Sequence, residues 1–257
     1  VKLFADGALG SSTAAMLQPY EEDSQNSGML LMDNEQIFEH GQQAVSNGIS
    51  IAIHAIGDRA NHEVLLAYEQ LRGFEREKGL PALKHRIEHV QILHPDDYNQ
   101  LARLGIIASV QPIHATSDMY AADRHWGKRS VGAYAFNTLI ERGTNICFGS
   151  DAPVESPNPF LGLHAAVTRR RPDGSPAQDG WYPAQRLALE DALHGFTLGP
   201  AFAAGLENQL GRLAAGYFAD MIVLNEDPFE MSADLLYRIK PCATMVGGEW
   251  VWQANNN

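Results

Sequence analysis

The 257-residue chain is long enough for one large α/β domain, and 45% hydrophobic with 19% charged residues is ordinary for a globular protein. The formal net charge of −12 argues against a nucleic-acid partner, because such proteins need a concentrated cationic face. Two cysteines exclude a disulfide framework, and no apolar run approaches the roughly 18 residues that a membrane-spanning helix needs.

Strands and helices are predicted to alternate along most of the chain. Predicted strands cover residues 2–5, 49–54, 84–90, 106–111 and 145–149. Predicted helices lie near residues 34–46, 60–78, 133–142, 159–169 and 189–198, a further helix begins at Pro95, and a long loop covers 112–130. The spacing of successive strands, roughly 20 to 40 residues, matches βα units and favours a parallel sheet.

The pattern changes from about residue 207. Short β runs at 220–224, 243–246 and 249–252 are predicted, the last two joined by a hairpin turn at Gly247-Gly248. We therefore expect two units, a barrel-type unit over 1–206 and a small β appendage over 207–257, with residues 255–257 as a frayed end.

Two histidines and an aspartate are predicted to lie at the ends of separate strands. His54 follows the apolar residues 49–53, His89 ends the strand over 84–90, and Asp151 follows the strand over 145–149. Metal-binding residues delivered one per strand are how a parallel α/β barrel builds a catalytic metal centre. The alternatives are a core histidine bonded to a backbone carbonyl for His54 and a helix cap for Asp151.

His85 and His89 lie four residues apart in one predicted strand. At roughly 3.3 Å per residue they stand about 13 Å apart, so at most one of them is a ligand of a given ion. His89 is nearer the carboxyl end and is chosen, while His85 is interpreted as structural. A helical segment would instead let the pair chelate. Glu88 points away from His89, which suits a packing or supporting role.

Two further residues are weaker candidates. Lys2, at the end of an early strand, could be carboxylated and bridge two metal ions, although a lysine so near a terminus is usually just exposed. His114 follows the fourth predicted strand and could contact substrate, or be a loop histidine without function. Side chains of the predicted loop are expected to shape the mouth of the pocket for an apolar or aromatic substrate: Tyr120, Arg124 and Trp126.

Several segments together resemble one family. They are VKLFADGALGS (1–11), IHAIGD (53–58), HRIEH (85–89), FGSDAP (148–153) and LGRLAAGYFADMIVL (210–224). These are similar to the amidohydrolase superfamily, specifically its amidohydrolase-3 (AepA-like) branch. The resemblance implies an α/β fold, a (β/α)8 TIM barrel with a small β-sandwich built from both chain ends.

The resemblance also implies roles for the site residues. His54 matches the strand-5 ligand, His89 the strand-6 ligand, Lys2 the strand-4 lysine and Asp151 the strand-8 ligand and general acid/base. The implied cofactor is a divalent metal, zinc or a similar ion, with one or two ions. The implied reaction is hydrolysis of an amide or other carbon–nitrogen bond by metal-activated water.

The chain departs from the family pattern in one respect. The strand-1 His-x-His pair does not occur in it, and only about five barrel strands can be counted. We therefore expect the C-terminal portion of a longer enzyme, with part of the barrel and part of the sandwich, and do not expect full activity from this portion alone. The alternative is a non-catalytic regulatory or binding protein with a degenerate barrel. An adenosine-deaminase-like site fits poorly, because Glu88 precedes His89.

The expected partners follow from the same observations. We expect a small-molecule substrate, no nucleic acid, no membrane and a cytoplasmic location, and we leave a homo-oligomer open.

Overall fold

The computed structural model describes residues 1–254, which contain a five-stranded parallel sheet, a three-stranded antiparallel sheet and their helices. The strands are β1 (Lys2–Phe4), β2 (Ala52–Ala55), β3 (Arg86–His89), β4 (Ile107–Val110), β5 (Ile146–Phe148), β6 (Met221–Leu224), β7 (Pro241–Val246) and β8 (Glu249–Gln253). The helices are α1 (Asn34–Ser46), α2 (Asp58–Lys78), α3 (Gln100–Leu104), α4 (Pro112–Ser117), α5 (Met119–Trp126), α6 (Phe136–Glu141), α7 (Pro159–Thr168), α8 (Leu189–Phe196) and α9 (Leu198–Ala203). Short 3₁₀ turns occur at Pro95–Asp97, Gly127–Gly132, Pro183–Gln185 and Ala233–Arg238.

The parallel sheet has the strand order β1-β2-β3-β4-β5, which is the order of the chain. A doubly wound sheet reverses its order at a switch point, whereas the wall of a βα barrel does not. The five predicted strands are therefore confirmed, and their order is consistent with the predicted part of a (β/α)8 barrel. All five carboxyl ends lie on one edge of the sheet.

Helix α2 packs on this sheet, and helix α1 packs on α2. Asp33 and Gln36 form a capping box at the start of α1, which holds the first backbone N–H groups of that helix. Helix α2 ends at Gly79, in the left-handed conformation that suits a helix stop. The buried side chains of α2 pack in one core with the apolar side chains of β2 and β3, among them Ile53 and Ile87. Both helices lie where the sequence predicts them.

The predicted loop over 112–130 is wrong, because two helices and a 3₁₀ turn occupy it. Pro112 takes the first position of α4, where its missing N–H costs nothing. Met119, Ala122 and Trp126 recur at helical spacing and bury one face of α5. Trp126 is completely buried, and Arg124 pairs with a surface glutamate, so neither side chain shapes a pocket mouth.

The tail forms a single antiparallel sheet of order β6-β7-β8. The predicted hairpin is confirmed, since β7 and β8 pair on either side of Gly247-Gly248. The structure shows this one sheet where the resemblance implies a sandwich, and the boundary at 206/207 stays a prediction. Residues 255–257, predicted to fray, lie outside the described part. No helix found within 1–254 is long and apolar enough to cross a membrane.

Candidate metal centre

One cavity at the carboxyl edge of the parallel sheet gathers the predicted site residues. Its volume is about 480 Å³. Its lining includes all five candidates from the sequence: Lys2, His54, His89, His114 and Asp151. They come from β1, β2, β3, α4 and the segment after β5. The carboxyl ends of adjacent parallel strands thus bring together residues up to 149 positions apart in sequence.

Two of these residues have unusual backbone conformations. His89 has φ of 77° and the next residue, Val90, has φ of 45°, while Asp151 has φ of 57°. Non-glycine residues adopt this left-handed region infrequently and at a cost. Both strained positions lie on the cavity, and the turn at His89 coincides with the last residue of β3. Strain that persists at a cavity is typical of functional positions.

His54 and His89 form a close pair of imidazoles. Their ring centroids are 4.6 Å apart and the planes meet at 71°. His54 Nε2 donates to the Gly7 carbonyl at 2.8 Å, and His89 Nδ1 donates to Gln111 Oε1 at 2.8 Å. In the neutral rings, His54 Nδ1 and His89 Nε2 therefore keep their lone pairs. A hydrogen bond at one nitrogen that orients the other toward a metal is the usual arrangement of metal-binding histidines.

Burial keeps both imidazoles neutral. It lowers the pKa of His89 to about 4, with the neighbouring His54 adding in the same direction, and it also lowers the pKa of His54. A histidine must be neutral to bind a metal ion. Around neutral pH this pair therefore presents two nitrogen donors without first losing protons.

Asp6, which sequence analysis missed, organises the loops around this pair. Its carboxylate accepts N–H bonds from Ala15, Ile56 and Gly57 at 2.8–3.0 Å, and lies 3.6 Å from His54 Nε2. Burial raises the pKa of Asp6 to about 6, against these three hydrogen bonds. Gly57 is required here, because a Cβ would lie 1.9 Å from the Ala15 carbonyl oxygen. The only sequence signal for Asp6 is its place in the segment over 1–11.

Lys2 and Glu88 lie beside the histidine pair. Lys2 Nζ is 3.9 Å from Glu88 Oε1, which also accepts from Arg86 Nε at 2.7 Å. Burial lowers the pKa of Lys2, partly offset by Glu88. Glu88 thus supports a candidate residue, in keeping with the supporting role predicted for it. A carboxylated Lys2 stays a prediction.

The donor set fits a metal ion in its chemistry, with one geometric limit. Two neutral imidazoles with free lone pairs and one carboxylate are the types of ligand found in zinc sites. Within the described 254 residues, however, no three His, Cys, Asp or Glu side chains are close enough together to hold an ion. Asp151 is solvent-exposed and lies outside the imidazole pair, three residues after β5 ends. The structure therefore preforms two donors and leaves the third on the cavity wall.

His114 extends the imidazole pair into the cavity. Its ring is stacked on that of His89, with centroids 6.1 Å apart and planes at 16°. It belongs to helix α4 rather than to a loop. The remaining histidines predicted as structural or surface residues do not line this cavity: His40, His62, His85, His94, His125, His164 and His194.

Comparison with known proteins gives a consistent picture. The sequence model described as "Amidohydrolase family" matches residues 1–252. The Arabidopsis thaliana protein LONG AFTER FAR-RED 3 is 35% identical, and the putative amidohydrolase YtcJ of Bacillus subtilis is 33% identical. Each match covers 98% of this chain, and 42% and 47% of the respective relative. The chain thus spans less than half the length of these relatives.

Two further matches bear on chemistry. An N-substituted formamide deformylase of Arthrobacter pascens is 25% identical over 96% of this chain and 44% of its own length. The crystal structure of an uncharacterised metal-dependent hydrolase of Pyrococcus horikoshii superposes with a TM-score of 0.80 at 33% identity, covering 91% of this chain and 45% of that one.

Proposed function

Since this chain belongs to the amidohydrolase family, we propose that it provides part of the active site of a metal-dependent hydrolase acting on amide-type carbon–nitrogen bonds of small molecules. The observation that supports this proposal most directly is the His54–His89 pair. One nitrogen of each ring is hydrogen-bonded, which fixes the ring and leaves the lone pair of the other nitrogen free. The metal-dependent hydrolase of similar fold and the formamide deformylase support the same reaction class.

The proposed ligands are His54, His89 and Asp151, with a carboxylated Lys2 as a bridge should two ions bind. Zinc is the proposed ion, because nitrogen and carboxylate donors suit it. When bound, a divalent ion supplies Lewis-acid polarisation of the scissile carbonyl and makes water a better nucleophile.

The chain's own residues perform the proton transfer and the positioning. Asp151 accepts the proton of the attacking water and passes it to the departing nitrogen. The Gly7 carbonyl and Gln111 hold the two imidazoles in one tautomer and one orientation. His114 lies beside His89 and hydrogen-bonds to the substrate.

A second candidate function is a non-catalytic regulatory or binding protein that keeps the barrel. One observation favours it: residues 1–254 bring together no three potential metal ligands. The two functions differ in whether the cavity binds metal at all. A small-molecule substrate, a homo-oligomer and a cytoplasmic location stay predictions.

Metal analysis tests the proposal. We expect the full chain to bind Zn²⁺ after dialysis against it. We expect each of the variants His54→Ala, His89→Ala and Asp151→Ala to lower the zinc affinity by about tenfold or more. His40→Ala is the matched control, because His40 is exposed on α1 away from the cavity. Unchanged zinc content in all three cavity variants would show that the site assignment is wrong. Zinc-dependent release of amine from N-formyl and N-acetyl amines then tests the reaction class.

A further inference from the structure

The wall of the cavity beyond His89 is built from four polar side chains. They are Gln91, His114, Asp118 and Glu155, and we call this set the acceptor wall. Gln91 follows β3, His114 and Asp118 lie in and just after α4, and Glu155 follows the segment that carries Asp151. Three of the four end in carbonyl or carboxylate oxygens, which accept hydrogen bonds.

Two members of the acceptor wall are buried without partners. His114 is 6% exposed and Gln91 is 4% exposed. Among the described residues, both ring nitrogens of His114 and the side-chain oxygen of Gln91 lack a hydrogen-bond partner. Buried polar atoms are almost always satisfied, and leaving them unpaired is costly. Since both residues line the cavity, a polar group of a bound molecule that reaches them is a partner that would satisfy these atoms.

Each of the two carboxylates, Asp118 and Glu155, has one oxygen that accepts a side-chain hydrogen bond from the described residues and one that does not. Asp118 Oδ2 accepts from the Tyr134 hydroxyl at 2.7 Å, which leaves Oδ1. Glu155 Oε1 accepts from the Ser117 hydroxyl, which leaves Oε2. Burial is the main cause that raises the pKa of Asp118, and the Glu155 charge adds to it. A carboxylate whose charge is disfavoured by burial and by a neighbouring carboxylate is stabilised when a cation binds beside it.

No positive side chain among the cavity-lining residues described here offsets this wall except Lys2, which belongs to the histidine side with Phe4 and Glu88. Arg171 influences Asp118, but its guanidinium donates to the Thr116 and Ser117 carbonyls at 2.9 and 2.8 Å. It also lies over the Tyr120 ring, 5.1 Å from the centroid, and does not line the cavity.

We propose that the acceptor wall binds a positively charged nitrogen of the substrate, so that the site selects amides that carry an ammonium group away from the scissile bond. This inference rests on the proposed function for the identity of the reacting bond. It replaces the apolar or aromatic substrate expected from the sequence, because the side chains behind that expectation lie in the core or on the surface. An ammonium group supplies three N–H donors and one positive charge to two carboxylates, each of which uses one oxygen in a side-chain hydrogen bond.

Three probes of equal length isolate the charge. They are N-acetyl-1,4-diaminobutane, N-(4-hydroxybutyl)acetamide and N-pentylacetamide, which differ only in an ammonium, hydroxyl or methyl end. Binding to the full chain is measured by NMR titration of the His114 ring signals, without added metal. We expect the ammonium probe to bind about tenfold or more tightly than the methyl probe, with the hydroxyl probe between them.

Variants assign the selectivity to the wall. Asp118→Asn keeps an oxygen for the Tyr134 hydroxyl, and Glu155→Gln keeps one for Ser117, so thermal unfolding should show both variants folded. The double variant should lose the preference for the ammonium probe while still binding the hydroxyl probe. Equal binding of the ammonium and methyl probes, tighter binding of the hydroxyl probe, or an unchanged preference in the double variant would overturn the proposal. Selective binding together with zinc content unchanged in His54→Ala, His89→Ala and Asp151→Ala would instead refute the proposed metal site and leave the selectivity standing.

Discussion

The amino end and the carboxyl end of the parallel sheet each hold a histidine from the same segment. The two differ in how many of their ring nitrogens are hydrogen-bonded. His85, at the amino end, is fully buried: Ile51 N–H donates to its Nδ1 at 3.1 Å and its Nε2 donates to Glu75 Oε1 at 3.2 Å. His89, at the carboxyl end, lines the cavity, and among the described residues only its Nδ1 has a hydrogen-bond partner.

Burial lowers the pKa of both histidines to about 4, so the pKa shift does not distinguish them. The hydrogen bonds do. A buried imidazole with both nitrogens occupied stabilises the fold, whereas one with a lone pair facing a cavity is available to a ligand. The two residues share their type and their segment, and the end of the sheet decides the role.

The largest expected effect separates the two histidines by stability. His85→Ala removes a packed ring, leaves the buried Ile51 N–H without its acceptor and removes one of the donors to Glu75, so we expect a loss of about 3 kcal/mol in the free energy of unfolding. His89→Ala, beside an open cavity, should cost about 1 kcal/mol or less. Urea unfolding of both variants measures the difference. Equal losses would break the distinction between the two ends of the sheet.

The pH dependence of stability sharpens the same distinction. The pKa of His85 falls to about 4 in the folded chain from 6.5 unfolded, through burial and then the Arg72 charge. Between these values the unfolded state binds more protons, so this contribution is complete above pH 6.5 and is lost as pH falls toward 4. It amounts to up to about 3 kcal/mol.

Other groups contribute to the acid dependence as well. His89 acts in the same direction, while Asp6, with its pKa raised to about 6, acts in the opposite one. The difference between wild-type and His85→Gln unfolding energies, measured from pH 7 to pH 4, cancels both. We expect that difference to shrink steadily as pH falls. A difference that is constant with pH would mean that His85 does not stay neutral in the folded chain.

The smallest expected effect concerns the partner of His89. Gln111→Ala removes the acceptor at 2.8 Å that holds the His89 tautomer. Loss of such a partner lowers metal affinity by about tenfold, near 1.4 kcal/mol, with little change in stability. Zinc affinity measured by competition with a chelator tests this, with Gln100→Ala in α3, which does not line the cavity, as control. An affinity unchanged by Gln111→Ala would remove Gln111 from the site.

Much of the fold could be predicted from local sequence. The alternating apolar runs and the stop at Gly79 give the strands and α2, and the strand ends give His54 and His89. The segment over 112–130 was wrongly predicted as a loop, although the spacing of its buried side chains is helical. There the polar and turn-forming residues outweighed a short helical period.

The finer features of the site could not be predicted, because they arise from long-range contacts. His89 meets Gln111 across 22 positions, and Asp6 meets Gly57 across 51. The left-handed backbone at His89 and Asp151 has no local signal, since neither residue is glycine. Both ring nitrogens of His114 lack partners among the described residues, which depends on side chains from several distant parts of the chain.

Ring-nitrogen NMR of the histidines during a Zn²⁺ titration tests the central claim most directly. With one equivalent of Zn²⁺, the account predicts that the signals of His54 Nδ1 and His89 Nε2 shift together, while both nitrogens of His85 stay unchanged. Shifts at His85, or no change at His54 and His89, would contradict it.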